Sequence, residues 1–180
     1  MRHEAFETGS NVVSFEAFEL AIKSPALKHV ARHWAEVRGS RTMPAWSDIR
    51  PAQIAGQLTI IWSYTYDRSA DAFTGRLAGA RIEQKFNRSL KDVPMKELYP
   101  EKDYKRLFAR AKRVVCGPQL YRGEGMVFQH LNHFGYGERI ILPLADDGVH
   151  GDGIFGATDY QAFRSMGTTP HLEADNWFAV

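Results

Sequence analysis

His130, Asn132 and His133 crowd one short stretch, and His150 follows. Imidazoles three apart can share a metal where a turn intervenes, but on a continuous strand i and i+3 face opposite sides. No cysteine or glutamate stands at ligand spacing beside them, so they read as polar strand residues and no metal is expected. Asp146, Asp147 and Asp152 flank glycines, yet the stretch lacks the alternating acids and closing glutamate of a calcium loop. Asp146-Asp147-Gly148 therefore reads as a turn. No nucleophile elbow appears, and no glycine-rich phosphate loop opens a helix. Arg76, between Gly75 and Leu77, falls in mid-strand. It can bridge to an acid across the sheet, or grip a ligand carboxylate or phosphate at two points. The broader candidate is a pocket. Trp62, Tyr64, Phe86, Phe108, Met126, Phe128 and Leu142 would line the space between sheet and helices, with Gln84 or His130 as polar groups.

The elements that must position these residues centre on Gln57–Asp92. In Gln57–Tyr66, Leu58, Ile60, Trp62, Tyr64 and Tyr66 share one parity, which predicts a strand with one buried face. Asp67–Asp71 is a polar connector, and Ala72–Ala78 resumes as a strand with Phe73 and Leu77 on one side. After Gly79, Ala80–Asn87 reads as a short helix, with Ile82 and Phe86 at i, i+4. Glu101–Cys116 carries a continuous apolar face and stops at Gly117-Pro118. Three strands are predicted near Gln119–His133, Glu138–Ala145 and Asp152–Tyr160, with a turn at Gly135-Tyr136-Gly137. Pro143 lacks a ladder donor and belongs at an edge or bulge.

Upstream, Met1–Val13 reads as a lead-in and Ser14 as the cap of a first helix bearing Phe15, Phe18 and Ile22. Ser24-Pro25 opens a second helix, striped by Leu27, Val30 and Trp34 and ending at Gly39. A short helix is expected near Asp48–Ala55, with Pro51 in its first turn. The apolar stripe of the first two helices is buried either by its own domain or by a second subunit; periodicity leaves both open. The tail after Phe163 shows no periodicity, although Trp177 and Phe178 could dock. The organisation expected is 1–40 as lead-in and helices, 41–163 as the domain, and 164–180 as a tail.

Arg76-Leu77-Ala78-Gly79 after an aromatic strand, followed by Phe86-Asn87-Arg88-Ser89-Leu90, resembles the PAS-like family of short stand-alone proteobacterial regulators (the PAS_5 type). Met43–Pro51 and Leu142–Gly148 extend the resemblance over roughly residues 27–160. It implies an α+β fold: a five-stranded antiparallel sheet with helices on one face, preceded by the N-terminal amphipathic helices. It also implies a non-catalytic sensory or regulatory module, acting by homodimerisation and contact with a regulatory protein. The dimer would use Phe15, Phe18, Ile22, Leu27, Val30 and Trp34, and a small ligand in the cleft would tune the contact. Flavin-binding relatives with a reactive cysteine carry an Asn-Cys-Arg-Phe-Leu-Gln type motif; Phe86–Leu90 here has no thiol. Haem-binding relatives usually supply a histidine from the long helix, and Glu101–Cys116 has none. Neither haem nor flavin is expected. The alternative is a cone-shaped enzyme of the ketosteroid-isomerase type, with His130 or Asp159 as acid or base. Its helices precede a continuous sheet, whereas here the long helix interrupts the strands.

Size and composition agree with one domain: 180 residues, 44% hydrophobic, 24% charged, formal net charge +2. That charge is too small to argue for nucleic acid, although Lys102, Lys105, Arg106, Arg110, Lys112 and Arg113 cluster on one helix as a solvated face or a patch for an acidic partner. No run approaches the ~20 apolar residues of a membrane helix. No secretory signal is expected at the N-terminus, and the single Cys116 fits a reducing cytoplasm.

Overall fold

The computed structural model describes residues 15–130, 133–160 and 174–180; side chains at 128–134 fall outside that description. The expectations for the lead-in, for Ser14, and for the tail up to residue 173 lie outside it too. Helices α1 (Phe15–Ala21) and α2 (Pro25–Arg38) come first. Strands β1 (Ile61–Asp67) and β2 (Ala72–Ala78) follow, then α3 (Ala80–Phe86) and α4 (Glu101–Cys116). Strands β3 (Gln119–His130), β4 (His133–Leu144), β5 (Gly153–Tyr160) and β6 (Ala174–Ala179) complete the sheet. It is antiparallel throughout, in the order β2-β1-β5-β4-β3-β6.

The five expected strands are all present, and β6 is an addition. It pairs with β3 from Gln119↔Ala179 to Glu124↔Ala174. Its residues serve two cores at once, because Trp177 packs on Tyr121 while Phe178 meets Phe18 edge-on at 5.4 Å. A strand with an aromatic on each face shows no alternation, which is why the tail looked patternless. The expected short helix near Asp48–Ala55 is a 3₁₀ turn at Pro51–Gln57.

Two local expectations change for clear reasons. Across β1 and β2 the register steps from Ser63↔Leu77 to Tyr64↔Gly75, so Arg76 is the extra residue of a bulge. The bulge reverses parity: Phe73 is buried, whereas Leu77 emerges to 38% exposure. Gly137 lies within β4, not in a turn. A β-carbon there would fall 2.1 Å from the Asp159 carbonyl oxygen, so the glycine permits close approach of β5. Pro143 meets its expectation, because the β3–β4 pairing ends at Tyr121↔Ile141 and leaves it at a local edge.

Helices cover both faces of the sheet. Helices α1 and α2 pack on one, where Ile140, Leu142, Leu144 and Phe155 join Phe18, Ile22, Leu27, Val30 and Trp34 in a single core. Ser24 caps α2 through its Oγ to Leu27 N, 3.3 Å, and Pro25 takes the first turn. The α1–α2 junction is bolted down by Glu138. Its buried carboxylate accepts from Lys23 N at 2.9 Å, Ser24 N at 2.7 Å and Arg122 Nε at 2.6 Å. The dimer-surface expectation is thereby corrected. Phe18, Ile22, Leu27, Val30 and Trp34 are at most 1% exposed within a single chain, and half-buried Phe15 stacks on Trp34 at 6.5 Å. The apolar face of the sheet needed a cover, and the chain's own helices supply it.

His33 of α2 is buried, and its Nε2 accepts from Arg50 N at 3.1 Å. Burial lowers its pKa below the usual 6.5. The unfolded chain then binds the extra proton more readily, so stability is lost as pH falls from about 6.5. We expect the thermal midpoint to drop between pH 7 and 5, and His33→Gln to flatten that slope. An unchanged slope in the variant would refute the assignment.

Candidate functional site

The opposite face of the sheet holds a cleft, with α3 and α4 above it. From the sheet come Trp62, Tyr64, Arg139, Ile141, Thr158 and Tyr160. Ile82 and Phe86 of α3, followed by Leu90, Met95 and Tyr99, form one wall. Asp103, Arg106, Leu107 and Arg110 of α4 form the other. The internal free volume is about 60 Å³, room for roughly five waters on that scale.

Strand alternation decides what reaches the cleft. Arg139 and Ile141 of β4 point into it, while Glu138, Ile140 and Leu142 face the N-terminal helices. Trp62 lies flat over Gly156, where a β-carbon would sit 2.3 Å from its ring. Its Nε1 donates to Thr158 Oγ1 at 2.9 Å, locking the indole as the floor. Tyr64 is 3% exposed, and burial pushes its phenol pKa well up. Its hydroxyl lies against Tyr99, in the field of Arg139 and Tyr160. Arg139, 8% exposed, donates from Nη2 to the Val127 carbonyl.

Arg110 joins the cleft to the sheet edge. It is 4% exposed, lies 4.4 Å from the Tyr121 ring centroid, and pairs with Asp175 of β6 at 2.9 Å. Tyr121 donates to the same Asp175 oxygen at 2.7 Å. Arg113 lies 3.9 Å from the Trp177 ring centroid and presses α4 onto β6.

Of the sequence candidates, Trp62, Tyr64, Phe86 and Met126 line the cleft. Phe108 instead packs edge-on against Phe73 at 5.7 Å, in the adjoining core. Leu142 belongs to the opposite face, a correction that follows from its parity with Ile140. Gln84 is exposed on the outer side of α3. Arg76 is also displaced from the cleft: the bulge turns it over Trp46, 5.0 Å to the ring centroid, in the field of Asp152 and Asp146. Burial lowers its pKa and raises that of Asp152. The side chains of Phe128 and His130 fall outside the described residues, although His130 and His133 are register partners across the hairpin. Asp159, the other acid–base candidate, accepts from Ser24 Oγ at 2.6 Å on the face away from the cleft.

Sequence reasoning missed Arg139, Tyr99, Thr158 and Tyr160. The available signal was Arg139, a charge at the head of the apolar run Ile140–Leu144. Elsewhere, Asp147 accepts from Val149 N, His150 N and the His150 ring, which pulls its carboxyl down to about 2 and fixes the expected turn. Among the described residues no three His, Cys, Asp or Glu side chains converge as metal ligands, and no helix is long and apolar enough to cross a membrane.

No curated protein and no solved structure matches the chain. A family model described as PAS domain matches residues 22–158, from the α1–α2 junction into β5. A sheet with α3 and α4 roofing a cleft accords with that match, and the chain belongs to the PAS domain family, a family of sensory and regulatory modules.

Proposed function

We propose that the chain is a ligand-tuned regulatory module with no catalytic step, signalling through a protein partner in the cytoplasm. The observation that carries this is the cleft itself: an apolar enclosure with a buried polar wall, roofed by α4. A ligand shifts such a module only by binding one conformation better than another. Arg110 offers a route, since it borders the cleft and also holds Asp175 of β6. The free volume of about 60 Å³ suits a small molecule. A homodimer would form through surfaces other than the buried stripe of α1 and α2.

Native mass spectrometry under gentle and then denaturing conditions tests this. The expected result is a non-covalent small molecule on the folded protein, released on denaturation, with the protein as a dimer. An empty monomer that no small molecule stabilises would overturn the proposal.

A further inference from the structure

The polar wall of the cleft is made mainly of donors, and most of its charge is positive. Arg139 enters from the sheet, with Arg110 and Arg106 from α4. Outside the lining, Lys85 Nζ stands 5.1 Å from the ring centroid of Tyr160. Among the described residues, the opposing carboxylates are Asp103 on the lining and Asp175, already bound to Arg110. Beside Arg139, the buried Tyr64 hydroxyl lies against Tyr99 but makes no well-aligned hydrogen bond. A buried O–H without an aligned acceptor is costly, and an oxygen from a ligand would relieve it. Guanidinium groups only donate, so the matching ligand group only accepts and carries negative charge.

We infer that the cleft takes a small carboxylic acid in its ionised form. Its carboxylate would lie at Arg139 and Tyr64, and its ring or short chain against Ile82, Phe86, Leu90 and Met95. This rests on the cleft being a ligand site, as proposed above. The free volume of about 60 Å³ holds roughly five waters, so the enclosed part takes the carboxylate and the atoms next to it, a small ring extends toward the open side, and a long-chain lipid is excluded. An ammonium compound of equal size is repelled by the guanidinium groups.

Benzoate, benzamide and benzylamine share one ring and differ in charge, so calorimetric titration of the full chain with each is the test. Benzoate is expected to bind at least about tenfold more tightly than benzamide, and benzylamine to give no binding heat. Tyr64→Phe should weaken benzoate about tenfold. Arg139→Gln should erase the preference for the acid. Because Arg139 also holds Val127, circular dichroism checks the fold of that variant, and Tyr64→Phe supplies an independent reading. Equal affinity for benzoate and benzamide would overturn the inference while leaving the cleft as a ligand site. A co-purified molecule without an acidic group would do the same. If no probe binds and no molecule co-purifies, both this inference and the ligand reading fail.

Discussion

Glu138→Ala is expected to destabilise the chain by about 3–5 kcal/mol, the range for removing one partner of a buried ion pair. Glu138 is 2% exposed and its partner Arg122 6%, so neither charge is well solvated. Three donors converge on this carboxylate: Lys23 N, Ser24 N and Arg122 Nε. Alanine leaves all three facing a void. A domain of this size has about 5–15 kcal/mol in hand, so the variant should unfold at markedly lower urea with an unchanged m-value. Glu138→Gln keeps an acceptor oxygen and should fall between the two. Arg122 keeps Glu124 at 2.6 Å, so pairing Glu138→Ala with Arg122→Met should recover only the part of the loss that the unpartnered Nε causes. A loss below about 1 kcal/mol for Glu138→Ala would mean the carboxylate is a surface pair in solution.

The second large effect is expected at Trp34. Its indole is fully buried in the core between α2 and the sheet, and Nε1 donates to the Pro143 carbonyl at 2.9 Å. Arg38 lies over the same ring at 5.1 Å. Trp34→Ala should cost about 3–5 kcal/mol through the cavity it opens. Trp34→Phe retains most of the packing and loses the hydrogen bond, and should cost about 1–2 kcal/mol. Both are read by denaturant titration. Because Trp34 and the cleft lie on opposite faces of the sheet, Trp34→Phe should leave ligand affinity within about twofold, less than 0.5 kcal/mol by the affinity scale. A tenfold change would reveal coupling through the sheet.

Helix α4 was legible to the residue because its apolar face is continuous and Gly117 ends it. The second helix was equally clear from Ser24-Pro25 and Gly39. The cleft was half legible. Trp62, Tyr64 and Tyr66 alternate with polar residues in β1, so their shared face could be read directly. Strand β4 resists the same reading, since it is buried on both faces and Ile140–Leu144 becomes one apolar run. Nothing in such a run says whether Ile141 or Leu142 faces the cleft. Arg76 was misplaced because a bulge leaves no local mark beyond a neighbouring glycine. Tyr99 was missed because it follows the irregular stretch after Leu90, where no period assigns a side chain to a wall.

The family match ends at residue 158, but the sheet does not. Strand β6 lies past that limit, and it supplies the carboxylate for Arg110 and the aromatic partners of Tyr121 and Phe18. The portion recognisable by kinship is therefore shorter than the portion that folds together. A chain cut at the kinship boundary would bare the edge of β3, an invitation to intermolecular strand pairing. It would also take Asp175 away from the buried Arg110 beside the cleft. Inheritance and cooperativity draw different borders here, and the last strand lies between them.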